Sequence, residues 1–230
     1  MAPDPSVRLV ILGKQGAGKG TQCGRLARHY GVPHISTGEM FRAAEKSGSD
    51  FGRELASYMK AGDLIPDELV VAAMAERLGR EDMVDCGFVL DGFPRTAHQA
   101  EALAKLLDPL EIDMAVDLQV PTDVVLRRLA TRRVCRECGF NYSVGVPPTT
   151  DWKCDVCGGE VIERADDTAA AIERRLKLYE KETEPLVLWY LTRDKLVAVD
   201  GVGEPDVVTG RLIGAIDRRL RRSTGEGSQK

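Results

Sequence analysis

The sequence lacks several features that would assign it to common functional classes. Its formal net charge is −4, so it carries no basic excess of the kind that dedicated nucleic-acid-binding proteins use. No apolar run approaches the roughly 20 residues that span a bilayer, and residues 1–6 show no basic start followed by an apolar core, so no secretory signal is predicted. The three histidines form no evident set with a serine or cysteine: His29, His34 and His98. We therefore expect a cytoplasmic protein without a membrane or nucleic-acid partner.

The chain is organised around the glycine-rich segment Gly13–Thr21. It follows the apolar run Val7–Leu12, a predicted buried strand, and precedes a predicted helix at 21–30. Strand, glycine loop and helix are the context of a phosphate-binding loop, in which backbone N–H groups face an anion and Lys19 reaches the β- and γ-phosphates. Because Gly20 stands where such loops usually have a hydroxyl residue, we expect phosphates and waters to hold Mg²⁺. The alternative is a turn without a ligand, which the four glycines and the lysine disfavour.

The cysteine spacing predicts a metal site. Four of the six cysteines form two Cys-x2-Cys pairs with 15 residues between them: Cys135, Cys138, Cys154 and Cys157. In a cytoplasmic chain this spacing favours zinc over disulfides, and four thiolates leave no open position, so the site should be structural. The surrounding segment is too small for a core of its own and is predicted to be an inserted lid that needs the metal to fold. Cys23 and Cys86 stand alone and are expected to be small, buried packing residues.

Predicted strands and helices alternate along the chain, whose 230 residues and 43% hydrophobic content suit one large domain with small insertions. The alternation predicts an α/β fold in which a five-stranded parallel sheet has helices on both faces. The later strands are predicted at 32–36, 87–91, 114–120 and 196–199. Helices are predicted from Ser36 or Thr37, in short pieces over 45–60 around Gly48 and Gly52, and over 66–79, 97–107, 121–133, 166–191 with a kink at Pro185, and 204–222, before a disordered tail at 223–230.

Polar side chains follow the predicted strands at the edge of the sheet where α/β proteins bind ligands. Asp91 ends a strand beside the phosphate-binding loop, a position suited to Mg²⁺ or its waters. Arg95 lies on the loop just beyond, and Gln99 lies in the first turn of a helix that Thr96 is expected to cap. Taken alone, Gln99 is typical of a surface residue. Its position close to Asp91 and Arg95 favours a role in a site instead.

Two functions fit this arrangement. In the first, the protein transfers a phosphoryl group between two nucleotides: the acceptor phosphate is already ionised, so catalysis needs positioning, positive charge and a lid that excludes water. In the second, it is a nucleotide-regulated switch whose zinc module and arginines hold nucleic acid. For Arg128 and Arg133, a solvated charge on the surface of a helix is as good an interpretation as a role in the site. The switch predicts a basic excess and an Asn-Lys-x-Asp motif, and the chain has neither, so phosphoryl transfer is favoured.

Several segments together resemble the adenylate kinase family. They are Gly13–Gln22, Ser36–Arg42, Asp91–Thr96 followed by Gln99, and Arg132–Val134. The Cys-x2-Cys pairs resemble the zinc-bearing lid of the long bacterial form, and the resemblance covers residues 7–222. Three positions depart from the family pattern, which puts rates rather than the reaction type in question: Gln15 stands for Pro, Glu39 for Asp and Gly203 for Lys.

The resemblance implies Mg²⁺-dependent, reversible transfer from ATP to AMP that gives two ADP, by a monomer with these nucleotides as partners and a structural Zn²⁺. It implies a P-loop nucleoside monophosphate kinase core at 1–35, 66–131 and 168–222, an AMP-binding segment at 36–65 and a zinc lid at 132–167. The implied ATP-binding residues are Gly16, Ala17, Gly18, Lys19, Gly20, Thr21, Arg128, Arg132, Asn141, Tyr142 and Gly203. The implied AMP-binding residues are Thr37, Arg42, Asp63, Leu64, Ile65, Gly92, Phe93, Pro94, Arg95, Gln99, Arg164 and Arg175, with Gln99 recognising the adenine edge. The implied catalytic residues are Lys19, Asp91, Arg95, Arg132, Arg164 and Arg175, among which Asp91 would orient Mg²⁺ through water.

Overall fold

A five-stranded parallel sheet forms the centre of the molecule, whose structure is a computed structural model that describes residues 6–80 and 86–223. Its strands are β1 (Arg8–Leu12), β2 (His34–Ser36), β3 (Phe88–Asp91), β4 (Met114–Gln119) and β8 (Leu196–Asp200), in the order β2-β3-β1-β4-β8. Asp91 is in register with Ile11 on one side and Ser36 on the other, so the carboxyl ends of three strands meet at one edge. The predicted parallel sheet is confirmed.

Helices cover both faces of the sheet, as predicted. They are α1 (Lys19–Tyr30), α2 (Thr37–Lys46), α3 (Asp50–Ala61), α4 (Asp67–Leu78), α5 (Ala97–Leu107), α6 (Thr122–Thr131), α7 (Ala169–Leu178), α8 (Pro185–Leu191) and α9 (Pro205–Ser223). Because successive strand residues point to opposite faces, Leu9 and Ile11 join one apolar cluster with α1 and α9, while Val10 and Leu12 join a second with α3, α4 and α5. No helix among the described residues is long and apolar enough to cross a membrane.

A small second sheet is inserted between α6 and α7. Its strands are β5 (Arg132–Cys135), β6 (Asn141–Ser143) and β7 (Val161–Ile162), which are antiparallel in the order β6-β5-β7. Cys135 ends β5, and the other three paired cysteines lie in the segments that connect the strands of this sheet. The segment predicted to be a lid therefore contains a three-stranded sheet that is separate from the main sheet.

Two predicted helices have different bounds in the structure. The helix predicted over 166–191 is interrupted: α7 is followed by a π-helical turn at Tyr179–Thr183, and α8 begins at Pro185, which has no N–H to continue the regular ladder. The helix predicted over 121–133 ends at Thr131 because the next residues pair in β5.

Two further expectations about single residues are wrong. Gly52 does not break a helix but lies inside α3, where a Cβ would be 2.1 Å from the Ala44 carbonyl oxygen, so the glycine allows α2 and α3 to pack closely. Cys86 is exposed, whereas Cys23 is fully buried as expected. The predicted disordered tail lies, beyond Ser223, outside the described residues.

Candidate active site

The glycine-rich segment connects β1 to α1 at the carboxyl edge of the sheet. Gly16 has a φ of 82°, and a Cβ there would lie 2.8 Å from Leu129 Cγ, so both conformation and space require glycine. The Lys19 ammonium group folds back and donates to the carbonyl oxygens of Gly13 at 2.6 Å and Lys14 at 3.0 Å. Burial lowers the pKa of Lys19, an effect that the nearby Asp91 carboxylate opposes. The lysine is thus held over the loop by neutral carbonyl oxygens, with the Asp91 carboxylate nearby.

Asp91 lies at the end of β3 next to this loop. Its Oδ2 is 3.5 Å from the point where a Cβ on Gly20 would lie, an ordinary contact distance, so the carboxylate lies against the first turn of α1. His34 Nε2 is 3.8 Å from the same oxygen. Burial alone would raise the pKa of Asp91, but the interaction with His34 and the charges of Lys19 and Arg95 outweigh it and lower the pKa. An ionised carboxylate beside a phosphate-binding loop suits a hydrated divalent cation.

Arginines on the lid side of the cleft are held by two adjacent carboxylates that sequence reasoning missed. Arg164 donates to both oxygens of Asp166 at 3.0 and 3.1 Å, and Arg175 Nη2 donates to Asp166 Oδ2 at 2.8 Å. Arg132 makes two hydrogen bonds with Asp167, whose side chain is 3% exposed. Paired donors of this kind fix a guanidinium plane. The only sequence signal was the pair of acids just before the Thr168 helix cap.

Burial and the positive charges of neighbouring arginines lower the pKa values of arginines in the cleft. Burial, with the charge of Arg164, lowers the pKa of Arg42 to about 10. The same two causes lower the pKa of Arg132. Burial would raise the pKa of Asp166, yet Arg164 and Arg175 outweigh it and lower that pKa. The site therefore holds cations that an anionic ligand would stabilise.

Two arginines that could have been solvated helix charges have defined positions. Arg128 donates to the carbonyl oxygens of Ala17 at 3.0 Å and Gly201 at 3.1 Å, so it bridges the phosphate-binding loop to the end of β8. Arg133 belongs to β5, not to a helix, and donates to the Arg132 carbonyl oxygen at 2.7 Å. Arg128 lines the cleft, and Arg133 is not among the residues that line it.

Another part of the cleft wall is built by the segment that connects the end of β3 to the start of α5. Thr96 caps α5 by accepting from the Gln99 N–H at 3.1 Å, as predicted. Arg95 Nε donates to the Gly92 carbonyl oxygen at 2.8 Å. Gln99 is 1% exposed, so the surface interpretation of this residue is wrong. Its amide donates to Asp67 Oδ1 at 2.7 Å, and Asp67 is a third carboxylate that the sequence analysis did not identify.

One cleft of about 1340 Å³ brings these groups together. This volume exceeds the roughly 300–1,000 Å³ of a typical single-ligand pocket and leaves room for two nucleotides. Every residue of the implied ATP-binding and AMP-binding sets lines it except Phe93, which is 1% exposed and packs in the cluster beneath. Asp91 also lines it. The sequence analysis therefore selected residues that the fold does bring to one place.

The lid cysteines form a compact cluster. The four Sγ atoms of Cys135, Cys138, Cys154 and Cys157 all lie within 4.8 Å of one another, and none is in a disulfide. Four convergent thiols are the donor set of a structural zinc site, so this cluster could bind zinc. The lid also reaches the opposite wall, since Lys46 Nζ on α2 donates to the Arg136 carbonyl oxygen at 2.5 Å.

The fold and the cleft define a P-loop protein of the nucleoside monophosphate kinase class, with a phosphate-binding loop on one wall and an arginine-rich wall facing it. The family model described as adenylate kinase matches residues 11–195. Adenylate kinases of Syntrophobacter fumaroxidans and Thermodesulfovibrio yellowstonii are 46% and 43% identical, covering 90% and 93% of this chain and 98% and 100% of their own lengths. The adenylate kinase of Moorella thermoacetica is 48% identical over 85% of this chain and 91% of its own length. The chain belongs to the adenylate kinase family.

Proposed function

We propose that the protein transfers the γ-phosphoryl group of ATP to AMP, reversibly, to give two ADP. The observation that carries the proposal is a cleft lined by a phosphate-binding loop, by several partly buried arginines and by the buried Gln99. Family membership and relatives named adenylate kinase over most of the chain support it. The oxygen that attacks belongs to an ionised phosphate, so the reaction needs two polyanions to be held together rather than a proton to be removed.

In this proposal, ATP occupies the side of the cleft nearest α1. Backbone N–H groups of Gly16–Thr21 surround its phosphates, and Lys19 exchanges its bonds to loop carbonyls for phosphate oxygens. Arg128 and Arg132 approach from the hinge of the lid, Asn141 and Tyr142 approach from β6, and the Gly203 backbone lies near the base. Mg²⁺ neutralises phosphate charge when it is bound with ATP, and Asp91 is the residue suited to hold it through water.

AMP occupies the opposite side of the cleft. Arg42 and Arg95 bind its phosphate, and Gln99 recognises its base. Thr37 and the segments 63–65 and 92–94 enclose the ligand; for Phe93 only a backbone contact is available, because its side chain is buried in the core. Asp166 and Asp167 hold Arg132, Arg164 and Arg175 between the two ligands, where these cations stabilise the negative charge on the phosphoryl group in flight.

The lid, at 132–167 in this proposal, moves over ATP and excludes water, which would otherwise attack the donor phosphate. Zn²⁺ bound by the four lid cysteines supports its fold. The core comprises 1–35, 66–131 and 168–222, and the AMP-binding segment comprises 36–65. The proposed enzyme is a cytoplasmic monomer without a nucleic-acid partner.

A coupled assay tests the proposal with ATP as donor and AMP, GMP, CMP or UMP as acceptor. We expect turnover with AMP to exceed that with each of the others, and ADP alone to be converted to ATP and AMP. Slow hydrolysis of ATP without transfer would instead support a nucleotide-regulated switch. Preference for CMP or UMP would indicate another nucleoside monophosphate kinase. As a binding test, diadenosine pentaphosphate should bind far more tightly than ATP, and equal affinities would contradict a paired site.

A further inference from the structure

The amide group of Gln99 is held in one orientation from two sides. Its Oε1 accepts from the Arg95 backbone N–H at 2.8 Å, and its Nε2 donates to Asp67 Oδ1 at 2.7 Å. A backbone N–H can only donate and an ionised carboxylate can only accept, so the chemistry of the partners fixes which end of the amide is oxygen. Because Gln99 is 1% exposed, water cannot replace either bond if the amide turns by 180°.

Asp67 is itself held firmly. It is the first residue of α4, and its second oxygen accepts from Thr96 Oγ1 at 2.6 Å. The same hydroxyl accepts from the Gln99 backbone N–H at 3.1 Å, and His98 Nδ1 lies 3.3 Å from Asp67 Oδ2. The carboxylate thus connects the start of α4 to the start of α5, and it cannot turn away from Gln99 without breaking another bond.

These bonds leave Gln99 with one unused N–H and one unused lone pair of its carbonyl oxygen, on a side chain that lines the cleft. Adenine presents an N–H donor at its 6-amino group next to an acceptor at N1, and this pattern complements the unused pair. A 6-oxopurine presents an acceptor at O6 next to an N–H at N1, which is the reverse pattern. Binding a 6-oxopurine in the same pose requires the amide to turn.

We propose that Asp67 is a positioning residue that makes the site select adenine over 6-oxopurines by fixing the orientation of the Gln99 amide. Turning the amide would place its oxygen against the Asp67 carboxylate and its NH₂ against the Arg95 N–H, so two buried hydrogen bonds would be replaced by two repulsive contacts. The inference rests on the proposed function, since it concerns the monophosphate that the second subsite accepts.

The test compares AMP with inosine monophosphate (IMP), which carries a 6-oxopurine, as acceptors in wild type, Asp67→Ala and Asp67→Asn. For Asp67→Ala, we expect the ratio of kcat/KM for AMP to that for IMP to fall about tenfold, the effect of one buried hydrogen bond of this kind. KM for ATP should not change. In Asp67→Asn, the new amide can accept in the native orientation or donate in the turned one. AMP should therefore be used within about threefold of wild type, while IMP is used severalfold better.

Glu68→Ala is the matched control. It removes the same charge from the same turn of α4, but Glu68 is exposed and makes no bond to Gln99 in the described structure, so its AMP to IMP ratio should equal that of wild type. An equal loss for both acceptors in Asp67→Ala would assign Asp67 a purely structural role and overturn the inference. If that variant does not fold, an unchanged ratio in Asp67→Asn has the same meaning. Calorimetric binding of AMP to wild type separates the hypotheses: absence of binding and turnover refutes the proposed function, whereas normal AMP use with unchanged ratios refutes only the orientation.

Discussion

The main sheet and the lid are stabilised by different means. The main sheet lies between two large apolar clusters, in which residues such as Leu26, Leu90 and Leu212 are completely buried. The lid cluster contains three buried residues, Cys135, Cys154 and Val161, and two of these are thiols of the candidate metal site. Burial of apolar area thus accounts for the core, while the lid has almost none to contribute.

Because the main sheet and the lid differ in what stabilises them, we expect that one can lose its structure while the other keeps it. A three-stranded sheet with one buried aliphatic side chain does not fold on apolar burial alone, so under the proposal its stability comes largely from zinc bound by the four cysteines. The phosphate-binding loop connects β1 to α1, which both belong to the core, and it bonds to the segment 132–167 through Gln15 and Asp167. Loss of lid structure should therefore not prevent nucleotide binding at the loop. The experiments below perturb either the lid or the core and measure the effect on the other part.

Removal of the metal should produce the largest effect. Structural zinc contributes apparent binding free energies of about 10–16 kcal/mol in small domains, so chelation should abolish hydrogen-exchange protection across 132–167 and lower the melting temperature. Peptides of β1 and α1 should keep their protection, and ATP should still bind to the loop, although without the proposed contacts of Arg132, Asn141 and Tyr142. Cys138→Ser should reproduce the effect.

Cys86→Ser is the control for metal removal, because this thiol is exposed and lies outside the cluster; its metal content and lid protection should equal those of wild type. Unchanged lid protection after complete metal removal would show that the lid is held by its own packing. The claim that the main sheet and the lid are stabilised by different means would then be rejected.

Arg95→Ala should have the second-largest effect: the variant should lose most of its catalytic activity but keep its fold. Arg95 lies on the core side of the cleft and bonds only to backbone through its guanidinium in the described contacts. Its removal should leave the apolar clusters unchanged. Loss of an arginine that stabilises the transferring phosphoryl group typically lowers kcat on the order of 10³-fold. Steady-state kinetics with a melting curve measure both quantities.

Arg127→Ala is the matched control, because Arg127 is an exposed arginine that pairs with Asp123 on the same helix and such pairs contribute about 0–1 kcal/mol. It should keep wild-type turnover. Normal kcat in Arg95→Ala would reject the role assigned to Arg95, and unfolding of that variant would show that the arginine supports the fold.

Truncation of one apolar side chain in each part compares their energetics directly. Leu212→Ala, in the core, should lower the free energy of unfolding by about 2–5 kcal/mol, measured by urea denaturation. Val161→Ala, in the lid, should cost about 1–2 kcal/mol of lid protection by hydrogen exchange and leave the urea midpoint of the core unchanged. An equal shift of the core midpoint in both variants would show that the two sheets unfold as one cooperative unit.

The fold was predictable from the sequence because alternating strands and helices leave few arrangements, and the glycine loop fixed where the site would lie. The cleft-lining arginines and the cysteines were also predictable, since each belongs to a local motif. The carboxylates that orient the side chains of the site, such as Asp67 and Asp167, were not predictable. Asp67 lies 32 residues from Gln99 and Asp167 lies 35 residues from Arg132, and no local pattern links members of such pairs. The π-helical turn before Pro185 was missed for a related reason, because a proline alone does not indicate how the preceding turn adapts.

Gln15→Pro should have the smallest effect, although it changes the phosphate-binding loop itself. Gln15 Nε2 donates to Asp167 Oδ1 at 3.0 Å, so this residue connects the loop to the carboxylate that holds Arg132. Its Oε1 is buried without a hydrogen-bond partner among the described residues, a cost that offsets much of the bond's benefit. Asp167 keeps both bonds to Arg132 in the variant, so kcat should change by less than about threefold. Gln15→Ala, which loses the same bond without constraining the backbone, is the control. A total loss of activity in Gln15→Pro alone would show that this loop adopts a conformation that proline cannot.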